Sequence, residues 1–168
     1  GLYWSYPCTS SDKAVREKSA EIIKKQLEAA AVLGVDVILV VPGMVASLDG
    51  TGEVVPYDVA YDRALETITS VADHAKACGV KIGVENVWNN FLMSPLEMRA
   101  FLDEVNSPRV GSYLDVGNVI KFGEPETWIR ILGKRVAKVH VKDFKRAVGT
   151  LDGFVDLLSG DVNFPAVI

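Results

Sequence analysis

The chain has 168 residues, which is enough for one domain with a substantial buried core. Its formal net charge is −4 and its basic residues form no cluster, which argues against nucleic acid as the main partner. No apolar run approaches the about 20 residues that cross a bilayer, and no signal peptide is evident. We therefore expect no membrane association and a cytoplasmic location. Cys8 and Cys78 lie far apart and are expected to be free thiols.

The first half of the chain predicts two helices on either side of one strand. Ser10-Ser11-Asp12 can cap a helix that Gly34 ends. Val35–Val41 is nearly continuous in β-branched residues, which is typical of a buried parallel strand. After a glycine-containing loop, a second helix is predicted to end at Gly79. The apolar faces of these two helices are predicted to comprise Val15, Ile22, Ile23, Leu27, Ala30 and Ala31, then Tyr61, Leu65, Ile68, Val71 and Ala75.

The second half predicts two further helices. Ser94-Pro95-Leu96-Glu97 is an S-x-x-E capping box with proline at the first helical position, so a helix begins there. A shorter helix is predicted over 125–132, with Trp128 in the core. The segment 145–160 has no clear period, and we expect a loop over the functional site. His74 lies in the second helix, where we expect a surface residue.

Three short apolar runs each end in a side chain that can bind a metal. Val80–Glu85 ends in Glu85, Val110–Asp115 in Asp115, and Val136–His140 in His140. If the runs are parallel strands of one sheet, these three side chains project from its carboxyl edge, where α/β enzymes place their chemistry. Two carboxylates with one imidazole form a mixed oxygen and nitrogen site for a divalent metal.

The alternation of strands and helices predicts an α/β fold with a parallel sheet, either doubly wound or a (β/α)8 TIM barrel. The barrel is favoured because three successive strands end in functional side chains and no strand is followed by a glycine-rich phosphate motif. A complete barrel usually needs about 250 residues. We therefore expect 1–168 to be a single partial barrel domain, an incomplete central portion with about four to five β/α units.

Both ends of the chain suggest truncation. Gly1–Pro7 reads as the end of a strand, and Asn163–Ile168 reads as a helix that has barely begun, with Pro165 in its first turn. An incomplete barrel would expose sheet edges, which a complementary chain or a homo-oligomer would have to cover.

Three motifs resemble consecutive strand ends of the sugar phosphate isomerase/epimerase superfamily, the xylose isomerase-like TIM barrels. They are G-V-E-N at 83–86, Y-L-D-V-G-N at 113–118 and K-V-H-V-K-D at 138–143. Ketose 3-epimerases and L-ribulose-5-phosphate 3-epimerase-like (hexulose-6-phosphate isomerase-like) proteins look most similar. The resemblance covers almost the entire chain.

The resemblance implies one divalent metal, Mn²⁺, Mg²⁺, Co²⁺ or Zn²⁺, on a Glu, an Asp, a His and a second Glu. Glu85, Asp115 and His140 match the first three ligands, whereas the second Glu belongs to a last strand that this chain does not contain. Glu85 would also be one of the two acid/base groups. Asn118 stands where ketose epimerases commonly have a substrate-binding His, and Arg146 matches a substrate-binding Arg.

Four other residues are candidates by position. Lys142 alternates onto the side of His140 and can contact a phosphate or hydroxyl group, unless it is a solvated lysine. Asp143 can orient the metal ligands from behind. Trp88 and Trp4 can wall off a sugar, although packing in the core is the commoner role of such side chains.

These features predict a metal-dependent epimerase or isomerase that removes a proton next to the carbonyl of a ketose or ketose phosphate. The expected partner is a small sugar or sugar phosphate. An inosose dehydratase-like lyase with the same metal site is the alternative enzyme, and an inactive fragment that needs a complementary chain is the alternative to an enzyme. An abasic-site endonuclease is disfavoured because the chain has only two histidines and is acidic.

Overall fold

A computed structural model describes residues 5–47 and 50–168. Four strands form a parallel sheet whose order follows the chain. The strands are β1 (Val37–Val40), β2 (Lys81–Glu85), β3 (Val110–Asp115) and β4 (Val136–His140). Helix α1 (Lys13–Val32) precedes β1, and α6 (Phe164–Val167) lies last. The connections between the strands contain α2 (Tyr57–Cys78), α3 (Pro95–Val105), α4 (Val116–Ile120) and α5 (Pro125–Leu132). The predicted parallel β/α alternation is therefore confirmed.

The register of the sheet brings the ends of three strands together. Glu85 of β2 lies opposite Tyr113 of β3, and Asp115 of β3 lies opposite His140 of β4. An irregularity between Ser112 and Tyr113 shifts the pairing of β3 with β4. Because all four strands run in the same direction, Glu85, Asp115 and His140 share the carboxyl edge of the sheet.

Three of the helices begin or end where the local sequence chemistry predicts. Asp12 accepts a hydrogen bond from the Ala14 N–H at the start of α1, and Ser94 accepts one from the Glu97 N–H at the start of α3. The Glu97 carboxylate bonds the N–H of Met93, one residue before the cap that the motif predicts. Gly79 ends α2 with a φ of 71°, a left-handed conformation that glycine adopts without strain.

The core lies between the sheet and the helices that cover its outer face. Ile82, Val84 and Leu114 of the strands are fully buried, as are Ile68 of α2 and Phe101 of α3. Trp128 is buried as predicted. Cys8 is buried and Cys78 partly buried, and both are free thiols. Among the helices of the described residues, none combines the length and apolar character that a bilayer crossing requires.

The structure differs from the sequence prediction in five places. The first strand is shorter than predicted, and Ala31, predicted on an apolar face, is exposed at the end of α1. The helix α4 was not predicted. The segment 145–160 is not only a loop, because β5 (Asp143–Phe144) pairs antiparallel with β6 (Phe154–Val155), and a 3₁₀ turn lies at Leu151–Gly153. Residues 5–7 form no strand, and the rest of the predicted N-terminal strand end lies outside the described residues.

Candidate metal centre

The side chains of Glu85, Asp115 and His140 converge at the carboxyl edge of the sheet. His140 Nδ1 lies 2.9 Å from Glu85 Oε1 and 3.2 Å from Asp115 Oδ2. One donor atom from each residue lies within 4.8 Å of the other two. Glu85 and Asp115 are buried, whereas the His140 side chain is 40% exposed. The three predicted ligands therefore form one cluster that is reached from the His140 side.

The donor set of this cluster fits a divalent ion. Asp115 Oδ2 is buried and, within the described part of the chain, makes no hydrogen bond of normal geometry. Ligand atoms about 2.1 Å from a first-row metal lie about 3.0–3.4 Å from one another, close to the separations of His140 Nδ1 from the two carboxylates. Either a proton on Nδ1 or a cation must lie between these atoms, because an imidazole lone pair and a carboxylate oxygen repel.

Burial dominates the electrostatics of Glu85. Desolvation raises the pKa of this carboxyl above its usual value, the hydrogen bond to His140 opposes the rise, and the charge of Asp115 adds to it. Glu85 is therefore a stronger base than an exposed glutamate, and a cation bound beside it would favour its ionised form.

Two asparagines fix the orientation of Asp115. Asn86 donates to the Asp115 carbonyl and accepts from the Asp115 N–H. Asp115 Oδ1 accepts the N–H of Asn118 at the start of α4, and the Asn118 amide donates to the Asn86 carbonyl. One carboxylate oxygen is thus used inside the protein, which leaves Oδ2 for the centre. Sequence reasoning singled out Asn118 but missed Asn86, whose role depends on the contact between β2 and β3.

Lys142 reaches the centre from beyond the end of β4. Its Nζ lies 3.1 Å from Asp115 Oδ2 and 4.8 Å from the centre of the Phe154 ring. The predicted placement of Lys142 on the side of His140 agrees with these contacts, because Lys142 Nζ and His140 Nδ1 both lie close to Asp115 Oδ2.

Trp88 is 7% exposed and lies in an aromatic cluster beside the centre. Its Nε1–H donates to the Asn118 carbonyl, and its ring centre lies 5.1 Å from that of Phe144 and 5.2 Å from that of Phe154. The Lys121 ammonium lies 4.3 Å from the centre of the Trp88 ring. These contacts show Trp88 as a packing residue, and its contact with a sugar stays a prediction. Trp4 lies outside the described residues.

Arg146 and Asp143 bind backbone groups of the segments around the site. Arg146 donates to the carbonyls of Ile120 and Gly123 and forms an ion pair with Glu124. The buried Asp143 accepts from the N–H groups of Phe144, Gly160 and Val162. Arg146 therefore stabilises the C-terminal end of α4, and the Asp143 carboxylate links the two ends of the segment 144–162. Their predicted roles toward substrate and metal ligands stay predictions. His74 is a partly exposed helix residue, 3.0 Å from Glu28.

Comparison with known proteins places this fold in a family. The family model described as xylose isomerase-like TIM barrel matches residues 1–168. The chain belongs to the xylose isomerase-like TIM barrel family. The predicted α/β barrel class and superfamily are thereby confirmed, and the four-stranded parallel sheet agrees with that class.

Individual proteins are similar over nearly the whole chain. "Putative L-ribulose-5-phosphate 3-epimerase SgbU" of Escherichia coli (strain K12) is 28% identical over 166 residues, 93% of this chain and 53% of that protein. The structure of a D-tagatose 3-epimerase-like protein matches with a TM-score of 0.80 and 23% identity, over 96% of this chain and 60% of that one. The structure of an L-ribulose 3-epimerase gives 0.77 and 23%, over 96% and 52%.

These matches differ from the chain in length. The chain spans about half the length of the relatives it matches in sequence. At such identities, the solved structures demonstrate a shared fold, and the activities in their names belong to those proteins.

Proposed function

We propose that this chain carries the metal-binding part of an epimerase or isomerase that acts on a ketose or ketose phosphate. The observation that carries the proposal is the convergence of Glu85, Asp115 and His140 at the carboxyl edge of a parallel sheet. Membership of the xylose isomerase-like family supports it. The substrate class is supported by the names of the similar proteins, a putative L-ribulose-5-phosphate 3-epimerase, a D-tagatose 3-epimerase-like protein and an L-ribulose 3-epimerase.

The three residues would hold one divalent ion, Mn²⁺, Mg²⁺, Co²⁺ or Zn²⁺, because hard carboxylate oxygens with one imidazole accept all four. When bound, the ion supplies Lewis-acid stabilisation of the negative charge that develops on the substrate oxygen. Asp115 and His140 would act as metal ligands. The position of Asp115 is fixed by hydrogen bonds with Asn86 and Asn118.

Glu85 would act as the base. The reaction begins when a carboxylate takes the proton from the carbon next to the substrate carbonyl, and returning a proton to the opposite face inverts that carbon. The raised pKa of Glu85 suits this role, because a more basic carboxylate removes a weakly acidic proton more readily. A second acid/base group on the opposite face completes the epimerisation, and the family resemblance assigns it to a further glutamate.

We assign the substrate contacts to the residues around the cluster. Lys142 lies directly at the centre, and its ammonium suits a hydroxyl or phosphate group. Asn118, Arg146 and Trp88 are further proposed substrate contacts, and Asp143 holds the adjacent backbone in place. Trp4 completes the proposed substrate-binding set on the basis of the sequence alone.

We further propose that 1–168 is a single partial barrel domain whose sheet is continued by further strands. Among the described residues, β1 pairs with β2 alone and β4 with β3 alone, so the sheet has two open edges. Val139 and Val141 are exposed at the β4 end of the sheet. A closed barrel needs eight strands, and the strands beyond β4 would supply the second glutamate.

Proton exchange at carbon tests this proposal. The protein, loaded with Mn²⁺ in D₂O, is incubated with ketoses and ketose phosphates, and the hydrogen next to the carbonyl is followed by NMR. We expect deuterium to replace that hydrogen, and Glu85→Gln to abolish the exchange. The exposed Glu66 provides the matched control, and Glu66→Gln should retain the exchange. Loss of water with formation of a new carbonyl compound would instead identify the lyase, and the absence of exchange with every sugar would contradict both activities.

A further inference from the structure

Lys142 brings an ammonium group into the carboxylate cluster. Its Nζ lies 3.1 Å from the buried Asp115 Oδ2, the oxygen that makes no hydrogen bond of normal geometry. The same Nζ lies 4.8 Å from the centre of the Phe154 ring, whose face attracts cations. The lysine side chain is 37% exposed. The ammonium of this partly exposed lysine therefore lies between a buried anion and the ring of a partly buried aromatic residue.

The backbone and Cβ of Lys142 are closely packed, whereas the stem that carries its ammonium has rotatable bonds. A Cβ added at Gly117 would lie 2.6 Å from Lys142 Cβ and 3.0 Å from the Lys142 carbonyl carbon. The backbone at Gly117 therefore packs directly against Lys142. The next residue, Asp143, is fixed by hydrogen bonds from Phe144, Gly160 and Val162. Beyond Cβ, the flexible lysine stem can rotate and move its charge by several bond lengths.

We propose that Lys142 is an internal counter-ion that competes with the divalent cation for Asp115. In the metal-free protein, the ammonium neutralises Asp115 Oδ2. When a cation takes this oxygen, the ammonium leaves it and stays over the Phe154 ring at the mouth of the site. The exchange requires rotation about the stem bonds and transfers no proton. This inference rests on the metal site proposed above and adds a determinant of its affinity.

The reason for the exchange is that one buried carboxylate oxygen cannot hold two cations at short range. A divalent ion on Oδ2 and an ammonium 3.1 Å from the same oxygen would repel each other strongly in a partly buried site. The displaced ammonium remains next to the centre, where it can accept an anionic or hydroxyl group of the substrate. Metal binding would thus convert Lys142 from a partner of Asp115 into a substrate contact.

Calorimetric titration of the whole chain with Mn²⁺ tests the inference directly. We expect Lys142→Met to lower the dissociation constant for Mn²⁺ about tenfold, because the competing charge is gone. The control is Lys145→Met, which removes the same charge from an exposed position three residues away and should leave the constant within about twofold. An unchanged or weaker affinity in Lys142→Met would overturn the inference.

The same titration separates this inference from the proposed metal site. If the wild type binds Mn²⁺ and Lys142→Met binds it no more tightly, the inference fails and the metal site stands. If neither protein binds Mn²⁺, the metal site fails and the inference fails with it.

Thermal unfolding provides a second readout. Without metal, Lys142→Met should unfold at a lower temperature than Lys145→Met, because Asp115 loses its counter-charge. With saturating Mn²⁺ the two variants should unfold at similar temperatures. Lys142→Met is expected to bind the ion more tightly, so the ion stabilises its folded state more than that of Lys145→Met. If the unfolding temperature of Lys142→Met lies below that of Lys145→Met by the same amount with and without Mn²⁺, Lys142 has only a structural role. That result would contradict the proposed competition between Lys142 and the cation.

Discussion

Asp115 illustrates how a candidate ligand is prepared by residues that would not touch the metal. Its backbone is bonded on both sides by Asn86, and its Oδ1 is bonded by the Asn118 N–H. These bonds leave Oδ2 as the oxygen that faces Lys142 and His140. The sequence predicted Asp115 because it ends an apolar run, but the supporting amide of Asn86 could not be recognised without the pairing of β2 with β3.

Removal of the Asn86 amide should weaken metal binding. We expect Asn86→Ala to reduce Mn²⁺ affinity roughly 10–100-fold, because the Asp115 carboxylate loses its orientation. Asn89→Ala is the control, since Asn89 is also buried and bonds Gly43 and Phe91 instead. Both variants should be less stable, but only the first should bind Mn²⁺ weakly in a calorimetric titration. Equal affinities in the two variants would refute this role of Asn86.

The raised pKa of Glu85 gives the metal-free protein a defined pH dependence. The folded state favours the protonated carboxyl, so the stability that Glu85 contributes is fully present below its unfolded pKa and is lost as pH rises through the raised folded pKa. Glu85→Gln should therefore become more stable relative to the wild type as pH increases. Thermal unfolding of both proteins between about pH 4 and 8 measures this difference. A difference that does not change with pH would contradict the assignment.

At the scale of the elements, the sequence predicted those whose signals are local. The start of α3 follows from Ser94, Pro95 and Glu97 alone, and the end of α2 follows from Gly79. The five-residue α4 was missed because one turn and a half shows no periodicity. Its cap is Asp115, which was interpreted as a metal ligand, with an Asx turn before Gly117 as the alternative. The β5–β6 pair was missed because two-residue strands are defined by a pairing over ten residues of chain.

Gly117 of α4 is required by the close approach of the segment after β4. We expect Gly117→Ala to reduce the free energy of unfolding by about 1–3 kcal/mol, because the added methyl group would overlap Lys142. This loss would outweigh the gain in helix propensity that alanine brings to a helix. Gly123→Ala is the control, since its Cβ would meet the nearest atoms at ordinary contact distances of 3.8 and 3.9 Å.

Urea unfolding of the two glycine variants measures whether the added methyl group at position 117 destabilises the protein. If Gly117→Ala proves as stable as Gly123→Ala, the contact between residues 117 and 142 does not constrain the site. The conclusion that close packing fixes the position of Lys142 Cβ would then be wrong.

At the scale of the whole molecule, the alternating pattern predicted a parallel sheet, and family membership confirms the barrel class. The sheet order could be anticipated because consecutive parallel strands joined by helices tend to lie side by side. What covers the open edges could not, since an edge carries no sequence signal for its partner. The partial domain, the homo-oligomer and the cytoplasmic location stay predictions.

The proposed activity depends on one divalent ion bound by Glu85, Asp115 and His140. The direct measurement is a calorimetric titration of the wild type, Asp115→Asn and Asp73→Asn with Mn²⁺, where Asp73 is an exposed residue of α2. We predict one ion per chain in the wild type and in Asp73→Asn, and affinity weaker by more than about 100-fold in Asp115→Asn. Equal binding by Asp115→Asn and the wild type, or no binding by either, would contradict the metal centre.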